Sequence, residues 1–155
     1  MQNPRCPESD GRPLWSGESN PHFYRNQPGR PLVTRSWLLV IPMRPTLTNA
    51  VHNMHYRKAS ADRKLWRAAG KDAAERADVP GLASLEVTCW GVYPGGRLPD
   101  PDACAPSLKG VLDGIVDAGV IPDDTGEWVK AITYLPAVKE KGVDAALHVL
   151  IEDCG

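Results

Sequence analysis

The sequence lacks a net charge, a closely spaced cysteine pair and any long apolar run, and each absence removes a class of protein. Its 18 Lys and Arg against 19 Asp and Glu leave a formal charge of −1, so the chain as a whole exerts no pull on DNA or on a lipid surface. A polyanionic partner would need a local basic face or bound metal ions. The four cysteines, Cys6, Cys89, Cys104 and Cys154, include no CxxC pair and no short His/Cys spacing, which excludes the usual structural zinc sites. They read as free, mostly buried thiols of a reducing compartment. The longest apolar run, Trp37 to Ile41, is far shorter than the ~18 residues of a membrane helix. The N-terminus lacks the basic-then-apolar order of a signal peptide, and no internal repeat is visible. These absences point to a cytoplasmic protein that does not engage a membrane. At 155 residues it is about one domain long.

What is present divides at about residue 34. Residues 1–34 are crowded with Pro, Gly, Asn and Ser and show no periodicity, so they cannot bury enough apolar surface to offset their ordering entropy. They are expected to be a disordered arm, whose Arg5, Arg12, Arg25 and Arg30 either brush nucleic acid or are simply solvated. A native start near Val33 would still leave a complete domain at 35–155.

Within that domain, Ser36 to Ile41 reads as a buried strand ended by Pro42. A loop with two prolines and basic and aromatic residues follows. A helix is expected next, capped by Ser60 or Asp62 and ended before Pro80-Gly81. Ser84 to Tyr93 alternates Leu85, Val87 and Cys89 with Glu86, Thr88 and Trp90, as a strand does. In a second helix Pro106 occupies the first turn, Leu108, Val111, Leu112, Ile115 and Val116 form one apolar stripe, and Gly119 supplies the stop. "EWVKAITYLP" and "VDAALHVLIE" read as two final strands joined as a hairpin. The expected class is α/β of the α+β kind, a small mixed sheet with two helices packed against it in the order β-α-β-α-β-β.

The second helix is bracketed by acid: Asp100 and Asp102 precede it, Asp123 and Asp124 follow it, and Lys109, Asp113 and Asp117 fall at i, i+4, i+8 opposite the apolar stripe. As surface chemistry this is a solvated face with a helix ion pair and needs no ligand. A helix of this length spans roughly 20 Å, so for the carboxylates to meet, a flanking loop must fold back. Unpaired, they would repel, and a divalent cation is the natural compensation. Oxygen-only donors favour Mg²⁺ or Mn²⁺ over zinc. A calcium loop starting at Asp100 fails, with Ala105 and Val111 where Gly and Glu are required. Carboxylate-held Mg²⁺ beside a lysine suits phosphodiester hydrolysis.

The ordered set resembles a known family. "DPDACAPSLKGVLDGIVDAGVIPDD" is similar to the core of the RusA family of Holliday junction resolvases, with a DxD, a helix lysine, an aspartate four residues on, an "AG" turn and a DD pair. "IPMRPTLTN" and "HYRKAS" are similar to the family's earlier segments, so the resemblance spans about residues 36–152. It implies a RusA-like α/β homodimer that resolves four-way DNA junctions by paired, Mg²⁺-dependent nicks, with Mn²⁺ able to substitute, in recombination or repair. By motif position Asp100, Asp102 and Asp124 would hold metal and Lys109 would assist at the phosphate. Asp123 would be a neighbour, and Asp113 either a supporting partner or a surface ion pair with Lys109. Ala103 stands where the family usually has Asn, and the run from Asp102 to Lys109 is longer, with Pro106 inside it; an "AP" before the lysine suggests a phage or prophage member.

Nearly neutral overall, a DNA enzyme of this kind needs a basic surface. Asn49, Arg57, Lys58, Arg63, Lys64 and Arg67 are the candidate DNA contacts, together with Arg35 and Arg44, with Tyr56 and Trp66 interleaved for stacking or core duty. His52 and His55 read as polar loop residues. A flap or fork nuclease with the same metal site, and a junction-binding protein without catalysis, remain as alternatives.

Overall fold

The computed structural model describes residues 35–155; the expectations for residues 1–34, including Cys6 and a start near Val33, lie outside these. The elements in chain order are β1 (Ser36–Ile41), α1 (Thr48–His52), α2 (Tyr56–Arg76), β2 (Leu85–Tyr93), a 3₁₀ turn (Pro101–Cys104), α3 (Ala105–Asp117), β3 (Val129–Tyr134), β4 (Val138–Lys139) and β5 (Ala146–Asp153). They form a mixed five-stranded sheet with three helices packed against it, strand order β1-β5-β2-β3, with β4 pairing β2.

The final strands do not form a hairpin. β5 runs antiparallel to both β1 and β2, while β3 lies parallel to β2 on its other edge. β4 continues that edge at Val92 and Tyr93. The crossover through α3 makes the parallel β2–β3 pair possible, since such a pair needs a long connection. β2 is thereby central, which explains why its alternation is not an in/out pattern. Leu85, Val87 and Cys89 face the helices, and Trp90 and Val92 join Leu150 in a second cluster on the other face.

α1 lies where the sequence reads as loop. Its five residues bury nothing fully, so no apolar period betrays it. α2 begins at Tyr56, ahead of Ser60 and Asp62, because the His55 imidazole takes the cap: its Nδ1 accepts from the Arg57 N–H at 3.4 Å. Both long helices end in left-handed caps, Asp78 at φ 52° and Gly119 at φ 77°. After Gly119 the Val120 N–H donates to the Ile115 carbonyl (3.2 Å) and the Gly119 N–H to Val116 (2.9 Å), the paired capping bonds of a Schellman end.

The core joins Trp66, Ala73 and Ala74 of α2 to Leu108, Val111, Leu112 and Ile115 of α3 and to Leu39, Ile41, Leu147, Val149 and Ile151 of the sheet. Burying each large aliphatic contributes about 1.5–3 kcal/mol. α2 and α3 meet backbone to backbone at glycine. A Cβ on Gly114 would stand 2.2 Å from the Arg67 carbonyl oxygen and 2.6 Å from the Lys71 nitrogen, and one on Gly110 2.5 Å from the Trp66 Cβ. No other residue permits so close an approach. Among the described residues no helix is long and apolar enough to cross a membrane.

A candidate carboxylate–lysine site on α3

α3 carries the site because its glycine seam presses its polar face against α2. The face bearing Asp113 and Asp117 stays at the surface, as its spacing predicts, but its carboxylates are ion-paired to α2 as well as along α3. Arg63 Nε and Nη2 donate to Asp113 Oδ2 at 3.0 and 2.8 Å, and Arg67 Nε and Nη2 bind both oxygens of Asp117 at 2.5 and 2.6 Å. Arg67 holds the Asp117 carboxyl below its ordinary range, and Asp117 raises the Arg67 guanidinium in turn. Matching i, i+4 charges on the two helices were the signal: Arg63 and Arg67 against Asp113 and Asp117.

The loop leaving α3 folds back. Val120 and Ile121 are buried in the core, Leu82 N–H donates to the Val120 carbonyl at 2.7 Å, and the chain then returns along the helix. This brings Asp124 onto Lys109, whose Nζ donates to Asp124 Oδ2. Lys109 Nζ also lies 3.7 Å from Asp113 Oδ1. The Asp124 carboxyl is held below its ordinary range above all by the Lys109 hydrogen bond, which outweighs the cost of burial, with the charges of Lys109 and Arg63 adding to it. Asp123 is exposed, and its Oδ1 accepts the Asp124 N–H at 2.8 Å, so it shapes the turn that presents Asp124. Four charges thus alternate in one chain of contacts: Arg63, Asp113, Lys109, Asp124.

The DxD lies at the other end of α3. Asp100 precedes the 3₁₀ turn without capping it through its side chain, Asp102 sits in its first turn, and both are exposed. The longer run to Lys109 is taken up by this turn, with Pro106 in the first turn of α3. Cys104 anchors the turn to the sheet, its Sγ 3.6 Å from that of Cys89. Cys89 and Cys104 are free and buried, and Cys154 is free and half-buried. The contact with Cys104, and after it burial, pushes the Cys89 thiol up. Ala103, where the resemblance leads one to expect Asn, contributes its carbonyl, which accepts from Thr48 Oγ1 at 3.3 Å.

Neither Asp100 nor Asp102 shares a hydrogen bond or ion pair with Asp124, and among the described residues no three His, Cys, Asp or Glu side chains converge as a ligand set. The chemistry of the donors, three carboxylates with no sulfur or imidazole, fits a hard divalent cation. Asp124 already carries one positive group, the Lys109 ammonium.

The remaining candidates are dispersed. Arg35 is bound to Asp153 at 2.7 Å, Arg44 lies over the Tyr93 ring at 5.4 Å, and Lys58 and Lys64 are exposed. Asn49 is exposed on α1, where its carbonyl accepts from the Asn53 amide at 3.0 Å. Trp66 is core. His55 is an exposed polar residue of the short loop before α2, which it caps, whereas His52 lies in α1 as its last residue and not in a loop. Residues not singled out from sequence tie the assembly together. Ser107, fully buried, accepts from the Thr46 N–H (2.7 Å) and donates to its carbonyl (3.1 Å). Thr46 Oγ1 donates to Asp62 (2.9 Å) and accepts from Trp66 Nε1 (3.1 Å). A serine or threonine at such a position carries no pattern that distinguishes it from a surface residue.

Fold and site together define a mixed α+β protein with a carboxylate–lysine cluster held between two helices and a returning loop. No family model matches the chain, and no curated protein matches it.

Proposed function

We propose that this chain is a RusA-like, Mg²⁺-dependent endonuclease that resolves four-way DNA junctions by paired phosphodiester cleavage, acting as a homodimer in a bacterial cell and encoded by a phage or prophage. The observation that carries the reading is the return of Asp124 onto Lys109 across 15 residues, which joins the helix lysine of the motif to its DD pair. Asp100, Asp102 and Asp124 would hold the metal, which when bound supplies an activated water and offsets charge on the leaving oxygen.

The chain's own groups perform the rest. Lys109 holds the Asp124 carboxyl below its ordinary range, so Asp124 stays in the ionised, ligating form into mild acid. Its ammonium has three donors, so one can stay on Asp124 while others meet a phosphate oxygen. Arg63 holds Asp113 at 16% side-chain exposure beside Lys109, which limits the directions the lysine can take and so reduces the entropy lost when it engages substrate. A second copy would present the same cluster to the symmetric strand.

The test is a labelled four-way junction incubated with purified protein and Mg²⁺ or Mn²⁺. Symmetric paired nicks that disappear in Asp102→Asn are expected. Preferential cutting of flaps or forks would assign the site to that substrate instead, and tight junction binding without cleavage under either metal would reject the nuclease.

A further inference from the structure

A cavity of about 390 Å³ opens beside the site, between α1, α2 and α3, lined by Val51, Ala59, Ser60, Arg63, Pro106 and Lys109 together with Asp62. Its volume is at the low end of the roughly 300–1,000 Å³ of small-ligand pockets, enough for one nucleotide and too little for a stacked base pair. Its chemistry is divided. Val51, Ala59 and Pro106 make an apolar wall, while Arg63 and Lys109 bring two cations to the side nearest Asp124. Asp62 opposes them with one charge, but its carboxylate is engaged by the Thr46 hydroxyl.

Arg63 is suited to a phosphate even though Asp113 holds it. A guanidinium has five N–H donors, Asp113 takes one from Nε and one from Nη2, and three remain. The side chain is 58% exposed, so those three reach solvent or ligand from a fixed orientation.

Two turns back along the same face of α2 stands Tyr56, since residues 56, 59, 60 and 63 share a helical face. It is 68% exposed, which is unusual for so large an aromatic. The His55 ring lies 4.5 Å away at 38° and Arg57 Nε donates to its hydroxyl at 3.1 Å. The ring is held, with the Arg57 guanidinium over it at 5.8 Å, and a base that stacks there displaces or sandwiches against that cation. From Tyr56 to Arg63 the helix rises about 10 Å, the reach of a short step of unpaired strand.

Resting on the nuclease reading above, we infer that the groove along α2 binds an unpaired DNA nucleotide next to the scissile phosphate, with its base stacked on Tyr56, its sugar against Ala59 and Pro106, and its phosphate between Arg63 and Lys109. The specificity this adds is for a frayed or displaced strand over intact duplex. Duplex has no base face to offer Tyr56 and does not enter the cavity.

The experiment reads binding of a fluorescein-labelled oligothymidylate decamer by anisotropy in EDTA, so that neither metal nor cleavage takes part. Base–aromatic stacking predicts that Tyr56→Ala weakens binding about tenfold, that Tyr56→Phe stays within about threefold of wild type, and that Ala59→Trp, which fills the cavity, costs at least as much as Tyr56→Ala. Leu65→Ala, on the opposite face of α2 and 60% exposed, leaves binding unchanged. Should Ala59→Trp fail to fold by circular dichroism, the Tyr56 pair still decides. Wild-type binding in Tyr56→Ala, or an equal loss in Leu65→Ala, overturns the groove. The two readings separate cleanly: Tyr56-dependent binding without metal-dependent cleavage by wild type keeps the groove and removes the nuclease, whereas junction cleavage with Tyr56-independent oligonucleotide binding does the reverse.

Discussion

Replacing Gly114 with alanine sets two opposing effects against each other, and their magnitudes decide the sign. By helix propensity alone the change should stabilise α3 by up to about 1 kcal/mol. In this fold the new methyl would meet the Arg67 carbonyl oxygen at 2.2 Å and the Lys71 nitrogen at 2.6 Å. Reaching an ordinary contact near 3.5 Å requires the helices to part by about 1 Å. Both obstacles are backbone, so no rotamer relieves them. Overpacking costs about 1–3 kcal/mol and occasionally more, and here the upper end applies. The net expectation is destabilisation by about 2 kcal/mol. Urea unfolding followed by tryptophan fluorescence would show it: with an m-value of about 1–3 kcal/mol/M, the midpoint falls by roughly 1 M. Gly126→Ala is the control, because a Cβ there meets nothing within 4 Å, and its midpoint should hold or rise slightly. The consequence reaches the site, since parting the helices draws Arg63 and Arg67 from Asp113 and Asp117. A Gly114→Ala protein as stable as wild type would refute the close seam and the placement of Lys109 built on it.

Lys109→Met should abolish metal-dependent cleavage while leaving the fold intact by circular dichroism, because the lysine side chain is half exposed; full activity would remove it from the mechanism. Asp124, Asp117 and Asp153 have folded pKa values below the ordinary ~3.9 of aspartate. Their stabilisation is therefore present above about pH 4 and is lost as pH falls through the lower folded values. Arg67→Gln should flatten this acid limb, and a limb unchanged in shape would show that Arg67 does not hold Asp117. Ellman's reagent should leave Cys89 and Cys104 untouched in the native protein and titrate them only in denaturant, since both are buried; rapid native labelling at either position would contradict their burial. Asp113→Asn should lower junction cleavage less than Asp102→Asn while raising the flexibility of Lys109, readable as slower cleavage without weaker junction binding.

The chain by itself determined the features that local chemistry controls. The i, i+3, i+4 stripe of α3 was legible because one helical face is core, and its Gly119 end because only a left-handed residue closes that cap. β1, β2 and the extent of the last strands followed from apolar runs bounded by proline and glycine. The acidic bracket and Lys109 were legible as a pattern, and the resemblance gave that pattern an order. Contacts between distant segments set the rest. The final strands read as a hairpin because nothing local tells a parallel neighbour from an antiparallel one; β2 accepts β3 on one edge and β5 on the other. α1 is too short to carry a period, and α2 starts where His55 happens to cap it. Asp113 and Asp117 form a surface face, as their spacing predicts, but their pairing with Arg63 and Arg67 exists only because glycines at 110 and 114 let α2 approach. The return of Asp124 to Lys109 depends on Val120 and Ile121 burying themselves in the core. A loop's path is decided by where its apolar residues find a core, and that core exists only once the sheet and helices have assembled.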